Sequence, residues 1–188
     1  SGIVRNTEFE GSIIAQGWSG CIAGINMGTI TNVISNVAVT VHGTSAGSLV
    51  SVNRGLISYS YGIGAVVSES NANTAGRSAG LVVANESSLE EVYGDYEALT
   101  SPNYIAFTPS LNPTYMLPTS QMKLAATWAE FDTDVWYVAN GTYPLLKHEG
   151  FVPPVISNDP IINISNIDYD LDLVVDEKAD KSIIAHTR

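Results

Sequence analysis

At 188 residues the chain can hold one sizeable core with an appendage, or two small modules. An apolar content of 45% with a mean hydropathy of +0.12 is that of a folded protein, yet charged residues make up only 14%, so its polar surface must come from Ser, Thr, Asn and Gly, as suits β-rich extracellular proteins. Eight Lys and Arg against 19 Asp and Glu give a net charge of -11, which repels phosphate backbones and anionic membrane surfaces and argues against a nucleic-acid partner.

The chain opens with Ser1-Gly2-Ile3-Val4-Arg5, which lacks the basic start and long apolar stretch of a signal peptide. Export, where it occurs, is expected to be directed by other sequence. No run of 18 apolar residues follows, so no membrane insertion is expected. A repeat then sets in. Gly20-Cys21-Ile22-Ala23-Gly24-Ile25-Asn26 with Met27-Gly28-Thr29-Ile30-Thr31-Asn32-Val33 returns as Gly47-Ser48-Leu49-Val50-Ser51-Val52-Asn53 with Arg54-Gly55-Leu56-Ile57-Ser58-Tyr59-Ser60. A third, more worn copy runs from Ala79-Gly80-Leu81-Val82-Val83-Ala84-Asn85 through Val92, and Gly2 to Thr7 matches Gly28 to Val33. Marker positions Gly2, Gly28, Gly55 and Ser87 place the long last step over a turn-rich insertion near Asn71-Ala72-Asn73-Thr74. Cys21, the only cysteine, excludes an internal disulfide and reads as a buried, inert thiol.

Short alternating runs such as Val37-Ala38-Val39-Thr40-Val41 are β-branched and bounded by Gly, Asn and Ser, which selects strands over helices. One such unit cannot enclose a core. Stacked units can pair their strands and bury one aligned column, with Ile30, Ile57 and Leu89 in register. Asn26, Gly28, Asn53, Gly55 and Asn85 are the expected corners, glycine for close backbone approach or positive φ and asparagine for stacking or capping.

From 93 to 118 tyrosines and prolines interleave, which predicts an ordered but irregular connection, with a binding loop as the alternative. Pro118-Thr119 then predicts a helix with Thr119 as N-cap and Met122, Ala125, Ala126 and Ala129 on one apolar face. Asp132-Thr133-Asp134 breaks it, and Val135-Trp136-Tyr137-Val138 predicts a strand before an Asn140-Gly141 turn. Because a stack of strands leaves an open end, this segment is expected to cap it, with Trp128, Phe131 and Trp136 as the buried core of the cap. An aromatic sugar-binding platform is the alternative for the same three rings.

The pattern Gly-x-Leu-Val-x-x-Asn followed by x-Gly-x-Ile-x-Asn resembles the GLUG repeat of bacterial and phage-encoded surface proteins. The stretch from Met116 through Trp136 to Asn140-Gly141-Thr142-Tyr143-Pro144-Leu145-Leu146 is similar to the segment that often closes GLUG arrays. Ser51 and Val83 depart from it, standing where a second glycine is usual. The resemblance, which spans residues 1 to 147, implies an all-β protein built on a right-handed parallel β-solenoid of about three coils with a short helix-containing cap; a C-terminal β-strand extension is expected from the sequence that follows. It implies a non-catalytic structural or adhesive module at a cell or virion surface, and no cofactor. A host-surface glycan or receptor is the alternative ligand.

After Gly150-Phe151-Val152-Pro153-Pro154 the composition shifts. Ile167-Asp168-Tyr169-Asp170-Leu171-Asp172-Leu173 alternates strictly, so Ile167, Tyr169, Leu171 and Leu173 form one apolar edge, expected to dock by strand addition on its own chain, a neighbouring copy or an assembly partner; a separate small β module is the alternative. The domains expected are repeats over 1–92, connection and cap over 93–150, and this acidic extension over 151–188. The three aspartates superficially resemble a calcium loop, but the sixth and twelfth positions hold Leu173 and Ala179 instead of Gly and Glu.

No recognisable catalytic motif is present. His42, His148 and His186 are isolated, and no nucleophile elbow, zincin helix or phosphate loop occurs. The enzymatic rival is a polysaccharide lyase or glycosidase, for which Glu90-Glu91 or Asp132 with Asp134 would supply the acids and Arg5, Arg54 or Arg77 the cation.

Overall fold

The structure, a computed structural model, describes residues 2–42, 45–68, 79–99 and 114–155. The chain divides into two units, Ser1–Pro154 and Val155–Arg188, and the described residues fall almost wholly in the first. The insertion expected near Asn71 and the docking edge Ile167, Tyr169, Leu171 and Leu173 lie outside the described residues.

Alternating β-branched runs become strands throughout. The first ten are β1 (Ile3–Ala15), β2 (Trp18–Gly20), β3 (Ala23–Asn26), β4 (Thr29–Val41), β5 (Ser45–Asn53), β6 (Leu56–Gly62), β7 (Val66–Ser68), β8 (Ala79–Asn85), β9 (Ser88–Asp95) and β10 (Thr114–Leu117). They make two parallel sheets. In the larger, the order is β1-β4-β6-β9-β10 with β7 also on β4; in the smaller, β2 and β3 pair along one edge of β5 and β8 along the other. From β1 to β9 the chain returns to the larger sheet through strands of the smaller, and among the described residues no helix joins these parallel neighbours.

Register follows the repeat. Ile3 pairs with Thr29, Thr29 with Leu56 and Leu56 with Ser88, while Asn26 pairs with Asn53 and Asn53 with Asn85. Ile30 accordingly pairs with Ile57 and Ile57 with Leu89, and all three are at most 2% exposed. They share one cluster with Leu49, Val50, Leu81 and Val82 of the smaller sheet, which puts the core between the two sheets. Burial of each such side chain stabilises by about 1.5–3 kcal/mol.

One column breaks the alternation. Asn6, Asn32, Tyr59 and Glu91 have φ of 50°, 53°, 45° and 50°, and each stands at the same point of its repeat. A left-handed residue there reverses the parity of side chains that follow, so Val33 joins the inner core while Ile34 turns to the opposite face. The positive φ expected at Gly28 and Gly55 falls here instead. Those glycines serve close approach: a Cβ at Gly28 would lie 2.0 Å from the Gly2 carbonyl oxygen, and one at Gly55 would lie 2.0 Å from that of Gly28.

The segment after Leu117 differs from expectation in two ways. The continuous helix is replaced by one turn, α1 (Thr119–Met122), and a 3-10 turn over Ala125–Trp128, separated by Leu124 in an extended conformation. Carbonyls that would continue the helix are taken elsewhere, Met122 O by the Trp128 indole N–H at 2.9 Å and Lys123 O by the Gly141 N–H at 2.8 Å. Pro118, not Thr119, is the N-cap, and the Thr119 hydroxyl donates to Asp95 instead. The expected strand shortens to β11 (Trp136–Tyr137), which pairs antiparallel with β12 (Leu145–Leu146) across a turn holding Gly141 at φ 88°.

The second difference is location. Ile34, Tyr61 and Tyr93 are registered neighbours on β4, β6 and β9, and they pack with Met122, Trp128, Phe131 and Trp136 in a cluster separate from the inter-sheet core. This segment therefore packs on the outer face of the larger sheet, where an end cap was expected. The connection read as irregular also contributes β10, parallel to β9, and Leu99 of the intervening turn is buried in the main core.

Candidate functional site

Three polar or aromatic constellations are built on this frame. The first is a ladder of asparagines at the ends of β3, β5 and β8. Asn26 Nδ2 donates to Asn53 Oδ1 and Asn53 Nδ2 to Asn85 Oδ1, both at 2.8 Å, and the three are 6%, 0% and 0% exposed. Each Oδ1 also accepts a backbone N–H two residues ahead, from Gly28, Gly55 and Ser87, as an Asx turn does. The second hydrogens of Asn26 and Asn53 reach Leu56 O and Ser88 O. Every polar atom of the Asn53 side chain is engaged, which is the condition for burying an amide without penalty.

The second is a knot around Asp95, whose partners no sequence motif announces. Its carboxylate accepts the hydroxyls of Thr119 and Tyr143 at 2.6 Å each and the N–H groups of Glu97 and Ala98 at 2.9 and 3.1 Å. Burial acts to raise its pKa, but these four hydrogen bonds outweigh that effect and hold it below the ordinary aspartate value. The Tyr143 hydroxyl is pushed up to about 12 by burial and by its bond to Asp95. Glu97 accepts the Thr119 N–H, so both carboxylates pin the start of α1 to the end of β9.

Aromatic rings form the third. Trp128, Phe131 and Trp136 are 2%, 3% and 1% exposed, packed edge-on or tilted against one another and against Tyr61 and Tyr93 with centroids 4.7–6.0 Å apart. A sugar platform needs open ring faces, so this trio is not one. The Trp136 indole reaches Asn32 Oδ1 at 3.2 Å, Asn32 reaches Asn6 at 2.9 Å, and the Tyr61 hydroxyl donates to Pro144 O at 2.6 Å. Burial, then the charge of Glu8, raises the Tyr61 pKa well above its usual value. A further aromatic pair lies elsewhere: Tyr137 and Phe151, both half-buried and with ring centroids 5.6 Å apart, line a cleft of about 510 Å3 with Asp134, Lys147 and His148.

Members of the acidic pairs, and one of the candidate cations, have local partners. Glu91 points to the Tyr93 hydroxyl, Asp132 caps the Asp134 N–H, and the Arg54 guanidinium pairs with Glu86 at 2.7 Å. Cys21 is half-buried, and burial raises its pKa against a hydrogen bond from Ser35. Among the described residues no group of three His, Cys, Asp or Glu is arranged to hold a metal, and no helix is long and apolar enough to cross a membrane.

Fold and constellations define a mostly β protein of two parallel sheets tied by polar side chains between repeats. Comparison with protein-family models, with curated proteins and with solved structures finds no match.

Proposed function

We propose that the repeats stack as about three coils of a right-handed parallel β-solenoid of GLUG type, and that the chain is a non-catalytic structural or adhesive module of an extracellular, cell-surface or virion-surface protein. The observation that carries the reading is the asparagine ladder. Its buried amides are committed to the next repeat in parallel register, as in a scaffold whose polar groups hold neighbouring units together. The close approach of successive glycines adds a steric requirement at the same corner. Assembly into a fibre through the alternating C-terminal segment 167–173, which lies outside the described residues, completes the proposal, and truncation after Gly150 tests it by light scattering: oligomers should be lost, and an unchanged assembly removes the idea.

A glycan-binding module is the second reading, favoured by the half-buried Tyr137 and Phe151 rings that line a cleft with Asp134, since sugars stack on aromatic faces while carboxylates accept their hydroxyls. Glycan arrays probed with the full chain decide between them. The scaffold reading expects no saturable sugar binding and no release of reducing ends from polysaccharides. Saturable binding that Tyr137→Ala abolishes would replace it with the glycan reading.

A further inference from the structure

The two ends of the paired strands are finished differently. Beyond β9, the strand β10 pairs with it and Leu99 and Met116 pack on the core. On the opposite side, β1 has no strand along its outer edge among the described residues, and neither do β2 and β3. Apolar surface is left open there: Ile3, Trp18 and Met27 are 69%, 53% and 70% exposed, and Ile25 is 45% exposed where its registered partner Val52 is 1% exposed. β1 runs for 13 residues with no proline to blunt it, the kind of edge that invites another strand.

Two details specify the occupant. Gly28 and Gly55 cannot carry a Cβ because each meets the glycine one repeat earlier, whereas a Cβ on Gly2 would meet nothing within 4 Å. Nothing in the described fold requires glycine at position 2; a neighbour placed by the same step would. Asn53 Oδ1 accepts both the Gly55 N–H and the Asn26 amide, and Asn85 Oδ1 likewise accepts from Ser87 and Asn53. Asn26 Oδ1 accepts the Gly28 N–H and, among the described residues, no amide from a further repeat.

We propose that β1, β2 and β3 form a docking edge for one further polypeptide segment of this same repeat type. It enters parallel, sets its own backbone against Gly2 and donates an asparagine amide to Asn26 Oδ1. The inference rests on the repeat-scaffold reading and continues the β1–β4 interface by one more step.

A fluorescein-labelled peptide of the sequence 16–42, one repeat of this chain, tests it against the full chain. Fluorescence anisotropy should show saturable one-to-one binding, hydrogen exchange should slow along β1, and a scrambled peptide should not bind. Gly2→Val should leave thermal melting unchanged and weaken peptide binding at least tenfold. Absence of saturable binding, equal binding to Gly2→Val, or slowed exchange away from β1 overturns the proposal, as does self-association of the chain in place of peptide capture. Failure of the scaffold reading has a different signature, saturable glycan binding that Tyr137→Ala abolishes.

Discussion

Asn53 lies directly above Asn26 in register, 27 residues on, and receives its side-chain amide at 2.8 Å while passing its own amide to Asn85. One side chain thus closes hydrogen bonds with both neighbouring repeats and with the backbone of its own corner. Asn53→Ala should destabilise by about 2–4 kcal/mol, because it strands one hydrogen of the Asn26 amide and the Gly55 N–H in a buried site and takes a donor from Asn85 Oδ1. Asn53→Asp should cost more, since the acceptor it introduces faces two further acceptors, Asn85 Oδ1 and Ser88 O. Urea melts of both variants check the order, and an Asn53→Ala midpoint equal to that of the parent would sink the ladder's energetic role.

Gly55→Ala adds a methyl that would sit 2.0 Å from the Gly28 carbonyl oxygen, a backbone atom unable to swing away. The strands must separate locally. A loss of at least about 1–3 kcal/mol is expected in chemical denaturation. The same change at Gly2 should be neutral in the isolated chain.

Ser51 is fully buried in β5, and its hydroxyl has no hydrogen-bond partner among the described residues. Removing the unpaired oxygen relieves a desolvation cost, so Ser51→Ala should raise stability by about 1 kcal/mol. Calorimetry gives the sign directly. A lower melting temperature would mean that the hydroxyl has a partner after all.

Trp136 fills the centre of the outer cluster and also holds Asn32 through its indole. Trp136→Ala should cost about 3–5 kcal/mol, as large core truncations do. Trp136→Phe keeps most of the volume and should lose less, chiefly the indole hydrogen bond. Unchanged melting in the alanine variant would place this ring in solvent.

Asp95 predicts the acid limb. Its folded pKa lies below the unfolded value near 3.8, so its contribution is fully present above pH 4 and is lost as pH falls through the folded pKa. Asp95→Asn should therefore be less stable than the parent at pH 7, by about 1–3 kcal/mol, with the gap narrowing below pH 4. Tyr143→Phe removes one donor to the carboxylate and should move the acid limb to higher pH. A stability difference between the parent and Asp95→Asn that stays constant with pH would refute the ionised, hydrogen-bonded carboxylate.

Residue spacing made part of this molecule legible. A parallel ladder transmits sequence distance unchanged into strand register, so the intervals between Gly2, Gly28, Gly55 and Ser87 already predicted that Ile30, Ile57 and Leu89 share a column. The left-handed column was not legible beyond Asn6 and Asn32, whose type favours that conformation. Tyr59 and Glu91 disfavour it, and they stand between registered pairs on either side that fix the course of the strands. The helix over 119–129 failed for a related reason, because apolar spacing says nothing of a distant indole and glycine N–H taking the carbonyls the helix needs.

What the sequence determined by itself was repetition: β-branched alternation, corners of glycine and asparagine, and a step length that a parallel sheet must obey. What only the tertiary structure decided was where non-repeating parts land. Thr119 and Tyr143 are 24 and 48 residues from Asp95, at separations no periodicity encodes, and they meet because the outer aromatic face of β4, β6 and β9 selects the segment that can cover it. Covering that face follows from burial, since registered Ile34, Tyr61 and Tyr93 offer a continuous apolar surface that became visible only once the left-handed column had turned it outward.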